Sequence, residues 1–259
     1  MMIIDSERVF VEDCRVIDVK KLGSYFEIVF ESKYISKSIQ PGQFVNVKLN
    51  TTFFRRPFTL FDKGQSWFSV LIKVVGRGTN ELSQAKEGQV FNILGPLGNS
   101  VFDLGIHTNE SVDLVAGGVG IANMLVLSKF LKTSNKRVRL FWGIKTKEEY
   151  FEKNFEYLDK VFITSEDGGV GEKGFITSLL QREYNGSVIY TCGPIPMIKA
   201  IAMLDNIPND KVVCSLERVM GCGVGLCYGC NIGNPEKGYL LVCKDGPNFR
   251  LSDVVEFIV

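Results

Sequence analysis

The chain has 259 residues, 45% of them apolar, and its 30 basic and 29 acidic residues give a formal net charge of +1. This length predicts two domains with room for a small third. The balanced charge argues against a nucleic-acid binder, which typically has an excess of basic residues. No run approaches the roughly 20 apolar residues of a membrane helix, and the N-terminal stretch lacks a signal-peptide layout, so we expect a cytoplasmic protein with no membrane partner.

The segment before residue 103 is rich in short, strand-like runs. They alternate apolar with polar residues or are rich in Val, Ile and Phe: RVFVEDCRVIDVKKL, YFEIVFES, GQFVNVKLN, RPFTLFD, WFSVLIKVV and QVFNIL. One helical turn is expected at TNELSQA. Short strands separated by turns predict an antiparallel barrel or sandwich, which we assign to a first domain at 1–103.

Strands and helices alternate in the next segment. Strand-like runs are SVDLVA, RVRLFWG, KVFITS, SVIYTCG and KVVCSLE, and helical runs are IANMLVLSKFLK, KEEYFEKNFEYL, FITSLLQREY and PMIKAIAML. This alternation predicts βαβ units and a mostly parallel sheet in a second domain at 104–210. The one histidine, His107, falls in a predicted loop, so histidine-centred catalysis has little support.

The last segment, 211–259, is rich in glycine and cysteine. It is too short to fold stably without a cross-link such as a bound metal centre. Four of the seven cysteines lie here with the spacing C-x4-C-x2-C-x12-C: Cys222, Cys227, Cys230 and Cys243. That spacing is typical of plant-type [2Fe–2S] centres. A zinc site, which more often has two separated C-x2-C knuckles, and four free thiols are the alternatives. Cys14 and Cys214 lie on predicted strands and are expected to be small buried residues.

Two stretches of the first domain could hold an anionic cofactor. Arg56 shares one β-segment with Phe58 and Thr59, and a glycine-bracketed turn follows Lys73 and ends at 78–79. Successive N–H groups in such a turn can form a phosphate nest. A solvated arginine and an ordinary tight turn remain the simpler structural interpretations of these two stretches.

Two stretches of the second domain suggest a dinucleotide. The run AGGVGIANM follows a strand and opens a helix, where a pyrophosphate can meet helix N–H groups, although it is not the G-x-G-x-x-G fingerprint. TCGPIPM ends another strand at the carboxyl edge, the side on which parallel sheets bind ligands. Cys192 there lies either near a nicotinamide or in a buried strand end, and Lys145 and Lys147 do not decide between NADH and NADPH.

Together these stretches resemble the ferredoxin–NADP reductase superfamily, in which an FAD-binding barrel precedes a nicotinamide-nucleotide domain. The flavin signature Arg-x-[Tyr/Phe]-[Ser/Thr] is matched at 56–59, and Cys-Gly-Pro-x-Pro-Met is matched in full at 192–197. The glycine-rich nucleotide loop is matched at 117–122, but Asn123 stands where the family usually has proline.

With the cysteines included, the resemblance narrows to the electron-transfer subunits of two-subunit, NAD-dependent dihydroorotate dehydrogenases and covers essentially the whole chain. A sister group comprises the small subunits of NAD(P)H-dependent ferredoxin oxidoreductases and sulfide dehydrogenases. That group typically has aspartate where this chain has Cys222. A zinc-stapled binding module without a redox role is the alternative from a different functional class.

The resemblance implies FAD, a [2Fe–2S] cluster, NAD(H) as co-substrate, and a partner with FMN in a TIM barrel. The implied assembly is a heterotetramer of two plus two subunits acting in pyrimidine (UMP) biosynthesis, with Leu226 and Tyr228 exposed at the subunit contact. No general base is implied. The implied cofactor residues are Arg56, Pro57, Phe58, Thr59, Leu71, Ile72, Lys73, Gly78 and Thr79 for FAD, Gly117, Gly118, Gly120, Cys192, Gly193 and Pro194 for NAD(H), and the four clustered cysteines for the irons.

Overall fold

The computed structural model describes residues 9–101, 111–234 and 238–258. Its strands are β1 (Phe10–Leu22), β2 (Tyr25–Glu31), β3 (Phe44–Val47), β4 (Arg56–Lys63), β5 (Trp67–Lys73), β6 (Val90–Leu97), β7 (Ser111–Gly117), β8 (Arg137–Ile144), β9 (Lys160–Ser165), β10 (Glu172–Lys173), β11 (Val188–Cys192), β12 (Val212–Ser215), β13 (Asn231–Asn234), β14 (Gly238–Leu241) and β15 (Asn248–Arg250). Its α-helices are α1 (Ile35–Ser38), α2 (Arg77–Ser83), α3 (Ile121–Thr133), α4 (Ile176–Glu183), α5 (Ile195–Ala202) and α6 (Leu251–Ile258). His107 and the predicted boundary at residue 103 lie outside the described residues.

The first six strands close into a barrel in the order β1-β2-β5-β4-β3-β6, with every neighbouring pair antiparallel. Alternating side chains such as Val45, Val47, Leu60 and Val70 fill its core. Closure leaves no sheet edge to protect. The predicted antiparallel barrel is therefore confirmed, and each strand-like run found in the sequence forms one of its strands.

The second sheet has the order β10-β9-β8-β7-β11-β12-β15, and its neighbours are parallel except for β12 and β15. This confirms the predicted parallel α/β layer. The helix predicted at KEEYFEKNFEYL is wrong, because the chain forms two short 3₁₀ turns there, Lys147–Glu149 and Phe155–Tyr157. Asn154 adopts a left-handed φ of 59° between them, and Glu149 and Lys153 are drawn into contacts with the barrel.

The C-terminal segment packs against the second sheet and does not rely on its cysteines alone. Strand β15 pairs antiparallel with β12. Helix α6 buries Leu251, Val254 and Ile258, at helical spacing, in the same apolar core as Cys230 and Cys243. The sequence analysis assigned no helix to this region, although the apolar residues at these three positions have helical spacing.

Three ion pairs join the barrel to the second sheet with its helices and loops, which we call the nucleotide layer after the motifs predicted in it. The amine nitrogens lie 2.5–3.0 Å from their carboxylate oxygens, and the pairs are Lys73–Glu149, Lys153–Glu27 and Lys129–Asp62. All three carboxylates are at most about a tenth exposed, so water screens these pairs less than it screens surface pairs. The pairs therefore restrain the orientation of the two layers.

The barrel is also tied to the C-terminal segment. The Asn99 side chain donates to the Asn248 carbonyl at 2.9 Å, and the Asn248 backbone N–H donates to the Asn99 side-chain oxygen at 3.1 Å. Asn248 further donates to the Gly42 carbonyl at 3.1 Å. Among the described residues, no helix is long and apolar enough to cross a membrane.

Candidate cofactor cleft and cysteine centre

An open cleft of about 280 Å³ lies between the barrel and the parallel sheet. It is lined by β4 and β5 of the barrel, by the glycine loop after β7 and by the segment after β12. The structure thus gathers the predicted flavin and nucleotide stretches around one space. Predicted residues that line it are Pro57, Phe58, Thr59, Leu71, Ile72, Lys73, Thr79, Gly120 and Cys192, and those that do not are Arg56, Gly78, Gly117, Gly118, Gly193 and Pro194.

Arg56 lies next to this lining at the start of β4. Its guanidinium group makes only long contacts with the described residues, 3.4 Å to the carbonyls of Phe54 and Arg55. Gly78 packs beside it, since a Cβ there would lie 3.4 Å from the Arg56 Cγ. A guanidinium group without a strong partner beside a cleft fits a phosphate-bearing cofactor.

Lys73, predicted to hold phosphates, is already paired. Its amine lies 2.6 Å from Glu149 Oε1, while the Tyr25 hydroxyl donates to Glu149 Oε2 at 2.7 Å. Thr79 is occupied in a similar way, because its hydroxyl oxygen accepts from the N–H groups of Val75 and Gly76 at 2.9 and 3.1 Å. In this structure both predicted ligands shape the cleft wall and the start of α2.

The two nucleotide motifs pack directly on each other. A Cβ at Gly120 would overlap the carbonyl oxygen of Cys192, and a Cβ at Gly193 would approach the Gly117 nitrogen to 2.9 Å. Only residues without a side chain permit this approach. Gly117, Gly193 and Pro194 therefore bring the two motifs together, although they do not line the cleft themselves.

The buried Asn123 amide supports a ligand site in the cleft. It lines the space where the family usually has proline, and neither of its amide atoms has a hydrogen-bond partner in the described chain. Its polar neighbour Cys192 is a weak hydrogen-bonding group. Burial, together with the charge of Glu217, raises the pKa of Cys192 to about 12 against the opposing effect of Ser215 and Asn123. The thiol therefore stays protonated and does not act as a nucleophile near neutral pH.

The sequence analysis missed the segment after β12. Ser215, Leu216, Glu217, Arg218 and Met220 all line the cleft, and burial raises the pKa of Glu217. Their position in the sequence could have identified them, because they lie at the carboxyl end of a predicted parallel strand, where such sheets bind ligands. Other lining residues that it did not assign to a cofactor are Phe44, Val75, Val119, Ala122, Asn123 and Pro247.

The four clustered cysteines form two pairs. The Cys230 and Cys243 sulfurs lie 3.2 Å apart, and the Cys222 and Cys227 backbone N–H groups each donate to the other's sulfur, at 3.5 and 3.3 Å. No group of three or more His, Cys, Asp or Glu side chains in the described ranges converges on a single metal position. Two pairs of thiols suit a centre with two irons better than one tetrahedral zinc.

Backbone N–H groups point at the cysteine sulfurs along the whole loop. Val224 and Leu226 donate to Cys222, Gly225 donates to Cys243, and these N···S distances are 3.1–3.5 Å. Positive φ angles at Gly223 and Gly225, 76° and 80°, let the loop curl. Such donors stabilise thiolates and the anionic cluster that they bind, so the cysteine centre fits a [2Fe–2S] cluster.

The sulfur environments differ within the centre. Burial opposes ionisation of Cys222, but the N–H groups of the loop outweigh it and lower the pKa of this thiol to about 7. Burial, followed by the neighbouring Cys230 sulfur, raises the pKa of Cys243 to about 12. Metal binding must therefore release a proton from Cys243. Cys14 and Cys214 are fully buried, as predicted.

An apolar surface surrounds the exposed edge of the cysteine centre. We call Phe53, Phe54, Val219, Leu226 and Tyr228 the cluster rim, and all five are at least half exposed. Phe54 reaches the loop, because a Cβ at Gly221 would lie 3.8 Å from its ring and 3.2 Å from the Cys227 sulfur. Exposed apolar surface of this kind is typical of sites that bind another molecule.

Two family models match the chain. Residues 217–255 match the iron–sulfur cluster binding domain of dihydroorotate dehydrogenase B, and residues 114–203 match the oxidoreductase NAD-binding domain. The two matched ranges contain the four clustered cysteines and the glycine loop with Cys192, respectively.

Similar proteins cover nearly the whole chain. The electron transfer subunit of dihydroorotate dehydrogenase B (NAD(+)) from Caldanaerobacter subterraneus subsp. tengcongensis is 38% identical over 93% of this chain and 97% of its own. The subunit of the same name from a Geobacillus species is 34% identical over 89% and 92%.

A solved NADH-dependent reduced ferredoxin–NADP oxidoreductase, studied for electron bifurcation, superposes with a TM-score of 0.79 at 29% identity over 95% of this chain and 92% of that chain. A ferredoxin reductase of carbazole 1,9a-dioxygenase, at 20% identity and a TM-score of 0.69, shares the fold over 79% and 68%. The identities and coverage of the first two relatives decide the family: this chain belongs to the electron transfer subunits of NAD⁺-dependent dihydroorotate dehydrogenase B.

Proposed function

We propose that this chain carries electrons between NAD(H) and a dihydroorotate dehydrogenase catalytic subunit by way of its own FAD and [2Fe–2S] cluster. One observation carries the proposal: the flavin strands, the nucleotide loop and the approach to the cysteine centre share one cleft. Met220, which lines the cleft, lies two residues before Cys222. Phe44, which also lines it, shares its apolar core with Cys230 and Cys243.

A flavin supplies the conversion between the two-electron hydride of NADH and the single electrons that a [2Fe–2S] cluster carries. The residues of this chain would position the flavin and the nicotinamide nucleotide relative to each other. Arg56 would pair with the cofactor pyrophosphate, and Phe58 and Thr59 would line its ring on β4. The Gly117–Gly120 loop and the start of α3 would hold the nicotinamide nucleotide. Hydride transfer needs no general base. The thiol of Cys192, which lines the cleft, stays protonated and so does not act as one.

The four cysteines would hold the irons as two thiolate pairs, Cys222 with Cys227 and Cys230 with Cys243, with loop N–H groups stabilising their charge. The clustered thiols favour the reducing cytoplasm as the setting. Because electrons need a short route, the cluster rim would face the partner. We propose FMN in a TIM-barrel catalytic subunit as that partner, in an assembly of two plus two subunits.

Co-expression with a dihydroorotate dehydrogenase catalytic subunit tests this function. The purified complex should contain FAD, FMN, iron and inorganic sulfide, and should reduce NAD⁺ with dihydroorotate as donor. Failure of the two chains to co-purify, or a complex that does not couple dihydroorotate to NAD⁺, contradicts the proposal. A colourless chain with stoichiometric zinc would support a zinc-stapled module instead.

A second candidate function is favoured by the 29% identical ferredoxin–NADP oxidoreductase structure. In that case the acceptor would be ferredoxin or a sulfur compound, and co-purification would bring a different, larger partner. Reduction of ferredoxin without any dihydroorotate dehydrogenase activity would decide for this alternative. Comparing kcat/KM for NADH and NADPH on the same preparation would settle the nucleotide that Lys145 and Lys147 leave open.

A further inference from the structure

Asn46, in the middle of β3, is a buried amide without a partner. It has no solvent exposure, and neither its Nδ2 nor its Oδ1 makes a hydrogen bond with any described atom. Leaving such a group unsatisfied costs on the order of 1–3 kcal/mol. Buried amides normally have hydrogen-bond partners. A ligand bound where the barrel meets the C-terminal segment would supply the partner that Asn46 lacks.

Strand geometry directs this amide away from the barrel core. Val45 and Val47 point into the core, so Asn46 and Phe44, at alternate positions, face the opposite side. Phe44 on that side packs in the core that contains Cys230 and Cys243. Asn46 therefore lies on the barrel face that meets the C-terminal segment.

The amide lies directly against the cysteine loop. A Cβ at Gly223 would overlap Asn46 Nδ2 and lie 3.3 Å from both Asn46 Cγ and Leu97 Cδ1. Gly223 follows Cys222 in the chain and has a φ of 76°. The absence of a side chain at this position is what allows the barrel amide to reach the loop.

The cofactor cleft does not supply the hydrogen-bond partner of the Asn46 amide. Phe44 on the same face of β3 and Pro57, the cross-strand partner of Asn46, both line the cleft. Asn46 itself is absent from that lining. The amide thus contacts the loop of the cysteine centre and does not line the space assigned to the flavin.

We infer that Asn46 donates an N–H hydrogen bond to a sulfur of the iron–sulfur centre when the irons are bound, an inference that depends on the proposed ligation by the four cysteines. The charge of four thiolates selects the N–H end of the amide, because a carbonyl oxygen in the same position would be repelled. The donor comes from the barrel and not from the loop. It therefore couples the flavin-binding layer to the cluster.

Such a bond would tune the cluster. Hydrogen bonds to the sulfurs of iron–sulfur clusters raise the reduction potential, because they stabilise the more negative reduced form. Asn46 would then help to set how easily an electron moves from the barrel side to the cluster. Its role is to tune the potential of the cluster and to position the loop, and it does not take part in hydride transfer.

The test uses the purified two-subunit complex and three variants. Asn46→Leu removes the donor at similar volume, and Asn46→Asp replaces the amide by a carboxyl group in the same space. Ser69→Ala is the matched control, since Ser69 is also a fully buried barrel residue without a hydrogen-bond partner among the described residues and, like Asn46, does not line the cleft. The readouts are the midpoint potentials of cluster and flavin, and the electron paramagnetic resonance signal of the reduced cluster with its exchangeable proton couplings.

Asn46→Leu should shift the cluster potential to more negative values and should lose one exchangeable proton coupling. Asn46→Asp should shift the potential more strongly at a pH above the pKa of its carboxyl group, because burial beside the anionic cluster raises that pKa and the protonated form still offers a donor. Ser69→Ala should match the wild type, and the flavin potential should stay unchanged throughout. An unchanged cluster potential in Asn46→Leu, or a shift confined to the flavin, overturns the inference. A wild-type complex without iron and sulfide would instead overturn the proposed function.

Discussion

The Lys73 amine of the barrel lies 2.6 Å from Oε1 of Glu149, which belongs to the nucleotide layer. The Tyr25 hydroxyl holds the other carboxylate oxygen at 2.7 Å. A Cβ at Gly118 would lie 3.7 Å from that second oxygen and 3.8 Å from the hydroxyl. One carboxylate thus connects two barrel strands with the glycine loop, and it restrains how the nucleotide loop faces the flavin strands.

Glu149→Gln should lower the free energy of unfolding by about 1–3 kcal/mol, because Lys73 and Tyr25 lose a buried, charged partner. The rate of FAD reduction by NADH should also fall. Urea denaturation and stopped-flow flavin bleaching measure the two effects. Glu172→Gln, which weakens an exposed pair with Arg182, should change stability much less, because water and salt screen surface pairs. Equal effects of the two substitutions would contradict the restraint described here.

Gly120→Ala should disable the nucleotide site while sparing the other cofactors. The added methyl group would overlap the Cys192 carbonyl oxygen and separate the two nucleotide motifs. We expect FAD reduction by NADH to slow at least about tenfold, in line with the cost of misplaced reactants. Flavin and iron contents should match the wild type. Reduction by dithionite is the control and should be unaffected, and unchanged NADH kinetics would contradict the assigned site.

Cys227→Ser should remove the cluster and keep the hydride step. The substitution takes away one thiolate of the Cys222–Cys227 pair, and a hydroxyl is a much poorer ligand for iron. Iron and inorganic sulfide should fall to background, while NADH still bleaches FAD. Cys14→Ala, at a fully buried barrel position, should retain the iron. Loss of FAD reduction together with the cluster would mean that the cluster holds the whole chain in its fold.

The barrel and the parallel sheet were predictable because period-2 runs and strand–helix alternation report directly which residues are buried. The cysteine spacing was equally informative, since ligand geometry is encoded in short sequence separations. The helix prediction for the segment KEEYFEKNFEYL was wrong because only its composition suits a helix. Contacts with the barrel through Glu149 and Lys153 decide its conformation. Propensity is a weak prior where tertiary contacts oppose it.

The cleft was less predictable than the fold. Lys73 matched a motif, but its partner Glu149 and the Tyr25 hydroxyl that also binds Glu149 are distant in sequence, and these contacts become visible only once the layers pack. Asn46 carries no sequence signal at all, because an asparagine in a strand reads as an ordinary polar position. Its burial and its contact with Gly223 arise from the packing of the barrel on the cysteine loop.

The reactivity of Cys222 should follow its lowered pKa. After chelation of the irons, a thiol with a pKa of about 7 should react with iodoacetamide about fivefold faster at pH 7 than at pH 6, and only about twofold faster again at pH 8. An ordinary thiol would instead gain about tenfold per pH unit over this range. Peptide mapping measures the rates, and Cys214, whose pKa burial raises to about 12, should stay unmodified in folded protein. A tenfold gain per pH unit at Cys222 would contradict stabilisation of its thiolate by the loop amides.

Leu226→Lys or Phe53→Asp should weaken the subunit assembly without harming the cofactors. Leu226 and Phe53 are 80% and 95% exposed on the cluster rim, so the chain alone loses little packing when a charge replaces them, whereas a partner would have to bury that charge. We expect the dissociation constant to rise at least tenfold by sedimentation, with NADH-driven reduction of FAD and of the cluster unchanged. Phe175→Asp, at a 67% exposed position in the nucleotide layer, should leave assembly intact. If Phe175→Asp disrupts the complex and the rim variants do not, the partner binds the other face, and the electron path from the cluster must leave the chain elsewhere.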